Sequence, residues 1–133
     1  MDTFLKNMVR IGVISYVNPK EMKARVLFEE RDVVSAELDI VVKGSLHNTS
    51  YWLPQINEQV LCLFLATGNQ KGFVLGSLYN KTDVPKINNV NKVRHDFKDG
   101  SFVEHDSATG DMLVRATGNV TIKAHKITLV EDG

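Results

Sequence analysis

The chain has 133 residues, 43% of them hydrophobic and 24% charged, a mix that fits one folded domain with or without an appendage and is too apolar for wholesale disorder. Its 16 Lys and Arg cancel its 16 Asp and Glu, which argues against a protein that holds nucleic acid mainly by neutralising phosphates. The one cysteine excludes an internal disulfide framework and a cysteine zinc cage within a single chain, and the longest apolar run, Val60 to Ala66, is far short of the ~20 residues a membrane helix needs.

The opening MDTFLKNMVR has no charged-then-apolar leader layout, so synthesis and folding in the cytoplasm are expected. Thr3 to Met8 is read as one or two helical turns. Strands follow. In RIGVISYV from Arg10, Ile11, Val13 and Val17 fall on one side, with Ser15 the exception. After Asn18-Pro19-Lys20-Glu21, Met22, Ala24, Val26 and Phe28 alternate with Lys23, Arg25 and Leu27. A period of two on both sides of an Asn-Pro turn predicts a hairpin. Ala36 to Lys43 is a third strand candidate and Glu58 to Leu65 a fourth. The fourth contains VLCLFL, apolar on both faces, as in a doubly covered strand or one lining a closed barrel. Thr67 to Gly72 suits a tight reversal into a fifth strand, Gly72 to Leu78. Such closely spaced short strands predict a small closed or nearly closed barrel.

From Asn80 to Asn91 the text NKTDVPKINNVN loses its period and reads as a linker. Beyond it, strand candidates recur at Lys92–Phe97, Ser101–Asp106, Asp111–Ala116, Asn119–Ala124 and Ile127–Val130, separated by Asp99-Gly100, Thr109-Gly110 and Thr117-Gly118. Val120, Ile122 and Ala124 share a face opposite Thr121, Lys123 and His125. A short repeat of strand and glycine turn is the mark of a stacked β structure. Large apolar residues are sparser here than between Val9 and Tyr79. Alone, such a tail leaves sheet edges open and one face wet, so identical tails are expected to pair about a symmetry axis.

Three pieces in order carry a resemblance. They are the opening hairpin RIGVISYVNPKEMKARVLF; then Tyr51-Trp52-Leu53-Pro54, Glu58-Gln59-Val60 and Gly72-Phe73-Val74-Leu75-Gly76-Ser77-Leu78-Tyr79-Asn80; then KDGSFVEHDSATGDMLVRATGNVTIKAHKITL. Together they resemble the baseplate assembly protein V family, the central spikes of contractile tails, over roughly residues 9 to 130. The resemblance implies an all-β chain: an OB-fold barrel over 1–80, a linker over 81–91, and an intertwined triple-stranded β-helix or prism stem over 92–133. It implies a homotrimeric spike of a phage tail or tail-like bacteriocin, a contractile injection system, driven mechanically into the target cell envelope and assembled into the tail baseplate. A hub protein above the collar and a separate tip cap below are the expected partners. Trp52, Pro54, Glu58, Gly72 and Gly76 form the barrel motif, and Asn57 stands where the family usually has glycine. The stem interior is expected to hold Val120, Ile122, Ile127 and Leu129. Some members end in a His-x-His pair that holds iron at the tip. Here KAHKITLVEDG leaves His125 alone, with Ile127 two positions on, so that site is not expected, nor is an appended lysozyme-like domain.

The chemistry-bearing residues otherwise point to no reaction. Cys62 inside VLCLFL reads as a small buried hydrophobe rather than a nucleophile. His47, His95, His105 and His125 have no metal-site spacing. In a trimer, one histidine per chain could converge on an axial ion, with His125 or His105 as candidates. Otherwise they decorate a solvated face. Glu29-Glu30-Arg31-Asp32, with Glu37 and Asp39, reads as a solvated turn rather than acid–base machinery. No nucleophile elbow, P-loop or dinucleotide fingerprint occurs. The expectation is no enzyme and no resident cofactor. The rival reading is an OB-fold module for single-stranded nucleic acid, using Tyr16 and Phe28 with Lys20, Lys23 and Arg25.

Overall fold

The computed structural model of the chain describes residues 7–66 and 71–133 and divides into two compact units, Met1–Pro85 and Lys86–Gly133. All regular structure among the described residues is strand. The helical reading of Thr3 to Lys6 and the reversal over residues 67–70 lie outside the described residues, and Asn7 and Met8 form a turn.

The first unit is built from β1 (Val9–Asn18), β2 (Lys23–Phe28), β3 (Val33–Val34), β4 (Leu38–Ile40), β5 (Gln59–Phe64) and β6 (Gly72–Ser77). Its strand order is β1-β5-β6-β4-β2, and β2 returns to β1, so five strands close into a barrel with β3 on the edge of β2. The pairs are antiparallel except β4 with β6. The long strand β1 makes closure feasible. Its first half, Val9 to Val13, pairs with β5, and its second half, Val13 to Asn18, pairs with β2.

The period of two in the sequence becomes the barrel wall. Ala24, Val26 and Phe28 of β2 and Val60, Cys62 and Phe64 of β5 point inward, joined by Ile14, Leu38, Ile40 and Val74 in one core. The β5 run VLCLFL therefore lines a closed barrel, with Leu61 and Leu63 half-buried on its outer side. On β1 the expected face of Ile11, Val13 and Val17 is corrected. Ile11 is exposed, whereas Gly12 and Ile14 are buried. The register slips between Ile14 and Tyr16, making Ser15 the extra residue of a bulge, and only beyond it does Val17 pack on the core. Ser15, the exception in the alternation, marks that bulge. Met22 is corrected too: it lies outside β2, in the turn, at φ 56°.

The third strand candidate is shorter than expected. Ala36 to Lys43 contains only Leu38–Ile40 as strand, and Ser35 breaks the edge ahead of it. Buried Ser35 accepts the Val26 N–H through its hydroxyl (3.0 Å), donates that hydroxyl to the Ala36 carbonyl (2.7 Å), and sends its own N–H to the Val26 carbonyl (2.8 Å). A side chain thus takes one rung of the ladder, separating β3 from β4.

Two glycines are required by closure. A methyl group on Gly12 would fall 2.5 Å from Val26 Cγ1 and 2.8 Å from the Leu27 carbonyl oxygen. On Gly72 it would fall 2.6 Å from Phe64 Cδ1 and 2.7 Å from the Leu63 carbonyl oxygen. Both sit where a strand presses on its neighbour.

The second unit contains β7 (Lys92–Asp96), β8 (Phe102–Asp106) and β9 (Asp111–Arg115), an antiparallel meander. Gly100 and Gly110 take φ 94° and 80° at its two turns, matching the Asp-Gly and Thr-Gly signals. The remaining candidates, Asn119–Ala124 and Ile127–Val130, form no strand within the single chain.

Candidate functional site

The candidate catalytic and ligand residues are dispersed. Cys62 is fully buried, and burial pushes its thiol up to about 11 against the opposing charge of Arg10. That is a core side chain with no accessible thiolate. His47 and His125 are exposed in segments outside the strands, while His95 and His105 lie on β7 and β8. Among the described residues no three His, Cys, Asp or Glu side chains of one chain gather as a metal cluster.

The acidic stretch is a turn. The Arg31 N–H reaches the Phe28 carbonyl (3.1 Å) and the Asp32 N–H the Glu29 carbonyl (3.2 Å), with Asp32 at φ 52° and all four residues exposed. Half-buried Glu37 follows, and Asp39 faces Lys23 at 4.0 Å.

The barrel motif is structural in its local chemistry. Trp52 packs on the core and its indole N–H donates to the Val41 carbonyl (3.0 Å), while Pro54 is fully buried and Tyr51 is exposed. Asn57 adopts φ 75° and sends its N–H to the Ile14 carbonyl (2.8 Å). Glu58 accepts the Gln55 N–H (2.8 Å) and the Ser77 hydroxyl, pinning the loop before β5 to the end of β6. Gly72 is squeezed as described. Gly76 has open space beside it and adjoins Leu75, the extra residue where the β5–β6 register slips. A hollow of about 560 Å³ beside Glu58 is lined by Ile56, Leu78, Tyr79 and Asp83 among others.

An arginine that sequence reasoning missed closes one end of the barrel. The Arg10 guanidinium lies 3.8 Å above the Phe28 ring and 5.4 Å from that of Phe64, and the two rings meet edge-on at 5.8 Å. Burial, then the nearby charge of Arg31, lower the Arg10 pKa from its ordinary value. Because Phe28 is buried beneath Arg10, it offers no face for stacking a base, and Arg25 donates to the Ser35 carbonyl at 3.2 Å.

The largest departures from ordinary burial are in the second unit. Val120, Ile122, Ile127 and Leu129 are 61%, 70%, 56% and 93% exposed. They sit in a segment without backbone pairing inside the chain. Upstream, Asp99 holds the start of that segment. It accepts the Ser101 N–H (3.0 Å) and the Thr117 hydroxyl (2.8 Å), and these bonds lower its pKa below 3.8. Among the described residues this unit leaves apolar side chains exposed and the outer edges of β7 and β9 unpaired.

Over 120 residues the chain is 22% identical to the spike protein of Escherichia phage P2, a match that covers 90% of this chain and 56% of that protein. The chain thus spans about half the length of the curated relative it matches. No family model matches the sequence.

Proposed function

We propose that this chain is a structural protein of a phage-type tail, a spike that works as a homotrimer by transmitting axial force rather than by catalysis. The observation that carries the reading is the unpaired segment beyond Arg115 with its exposed apolar side chains, in a chain similar throughout most of its length to a phage spike protein. Ordering such a segment without burying its side chains is unfavourable. Three copies braided about one axis would pair the backbone edges and bury Val120, Ile122, Ile127 and Leu129 together.

In this reading the barrel is an OB-fold, a five-stranded Greek-key barrel. The partners would be a baseplate hub, a separate tip cap and the target envelope. A stem with each strand paired across chains resists fraying under load, which suits piercing. The particle would be a virion tail or a related bacteriocin.

Sedimentation of the purified full chain tests the reading. A trimer that resists detergent is expected, and Ile122→Asp, by placing an unpaired charge in the buried stem, should abolish it. A well-folded monomer in dilute solution, or an unaltered trimer from Ile122→Asp, would refute it.

A further inference from the structure

The barrel ends in a positive mouth. On β1 the inward positions run Arg10, Gly12, Ile14, so Arg10 is the last inward side chain of that strand. Phe28 closes β2 and Phe64 closes β5 in the same way. The half-buried guanidinium therefore lies over two rings at the end of the core, nearest to Phe28. The turn after β2 folds back through the Arg31 N–H on the Phe28 carbonyl, which brings a second arginine to the same mouth.

Neither of these charges is matched. Among the described residues the ion pairs belong to Lys23, Lys92 and Arg94, and the guanidinium hydrogen bonds to Arg25 and Arg94. No buried side-chain nitrogen lacks a partner, so the N–H groups of Arg10 reach open space rather than the core. Burial, then the charge of Arg31, lower the Arg10 pKa, which means that the second cation is close enough to be felt. An anion held between the two would offset both effects.

Two hollows flank the pair. One, of about 270 Å³, is lined by Glu29 and Glu30 as well as by the arginines, and so already has carboxylates. The other, of about 280 Å³, adds Val33, Phe64 and Leu65 to the two arginines and Phe28. Among the described residues no Asp or Glu lines it.

We infer that this second hollow takes a carboxylate side chain, an aspartate or glutamate of a partner protein, gripped by Arg10 and Arg31. A guanidinium fork matches a carboxylate two bonds at a time. The rest of the wall is apolar. It favours a carboxylate borne among apolar side chains and offers nothing to a free phosphate that keeps its water. Stacking on Phe28 already fixes Arg10, so little side-chain freedom is left to lose on binding. Arginine packed in this way is the kind of side chain on which interface affinity concentrates. The inference concerns the first unit alone and does not rest on the trimer reading.

The test is an NMR titration of the full chain with two capped tripeptides, one with glutamate between two leucines and one with glutamine in its place, and with inorganic phosphate at matched ionic strength. The glutamate peptide should move the Arg10 Nε–Hε and Val33 amide resonances and saturate at about millimolar concentration. The glutamine peptide and phosphate should each bind at least about tenfold more weakly, the size of a lost charge-assisted hydrogen bond. Arg31→Gln, at an exposed position, should keep the fold and weaken the glutamate peptide by a similar factor. Lys20→Gln, in the turn at the opposite end of β2, should bind like the wild type. No binding of the glutamate peptide, equal binding of the two peptides, or an unchanged affinity in Arg31→Gln overturns the inference. Phosphate as tight as the glutamate peptide overturns the assignment of the occupant to a protein. Each of these results leaves the trimer reading standing, because sedimentation tests that separately.

Discussion

Gly12 and Gly76 lie in the same barrel and should respond to the same substitution with opposite sign. In Gly12→Ala the new methyl would meet Val26 Cγ1 at 2.5 Å, the Leu27 carbonyl at 2.8 Å and Phe28 Cδ1 at 2.8 Å. Carbon atoms pack comfortably at ~3.5–4.0 Å, so β1 and β2 must part by roughly an ångström. Val26 is fully buried and the carbonyl is part of the strand backbone, so neither can step aside cheaply. Overpacking of this kind costs ~1–3 kcal/mol, from which the lower unfolded-chain entropy of alanine takes back ~0.4–1 kcal/mol. The expected net loss is about 1–2 kcal/mol. Beside Gly76 there is nothing within 4 Å, so Gly76→Ala keeps only the entropic gain, up to about 1 kcal/mol. Urea unfolding at one fixed protein concentration, followed through Trp52, reads both, because the indole is the chain's one tryptophan and packs on the barrel core. If Gly12→Ala unfolds at the wild-type midpoint, or Gly76→Ala proves as damaging, the claim that strand contact at Gly12 limits the barrel is wrong.

Cys62 should resist iodoacetamide at about pH 8 in the native chain and react once urea opens the barrel, since only the thiolate is nucleophilic and burial raises this thiol to about 11. Rapid native-state alkylation would contradict the packing. The Asp99 carboxyl is held below 3.8 by the Ser101 N–H and then the Thr117 hydroxyl. A depressed folded pKa means that the stabilisation is complete above that value and fades as pH falls through the lower folded one. The Ser101 and Thr117 amide resonances should therefore shift on strong acidification, and Asp99→Asn should remove that acid dependence. Ending the chain after Pro85, the boundary of the first compact unit, should leave a folded barrel that no longer forms a detergent-resistant trimer. Equal trimer stability of the shortened and full chains in sedimentation would assign assembly to the barrel instead.

Alternation made β2 and β5 legible, because each residue pair there has one side in the core and one outside. It misled on β1, where a bulge at Ser15 moves the inward set from Gly12 and Ile14 to Val17. A bulge changes phase without changing composition, so a period of two overlooks it. The break at Ser35 was hidden for a related reason. A serine hydroxyl replaced a backbone rung, and nothing about Ser35 in isolation distinguishes that use from a solvated one. Arg10 was missed because its partners, Phe28 and Phe64, are far away in sequence. Asn119–Ala124 and Ile127–Val130 alternate like strands but form none in the single chain, because alternation records a two-faced segment and not the neighbour a strand must pair with.

The parallel contact between β4 and β6 has two registered pairs, Asp39 with Phe73 and Ile40 with Val74, supplemented by the Val41 N–H on the Val74 carbonyl at 2.9 Å. It joins residues more than thirty positions apart along the chain, whereas β1 and β2 meet through a short turn. The β1–β5 contact joins residues farther apart still but holds five registered pairs, so this two-pair seam is expected to spring loose before it. Solvent deuterium should reach the Val41 amide well before that of Val26 or Cys62, and the barrel should unroll from this line while the β1–β2 hairpin is still whole.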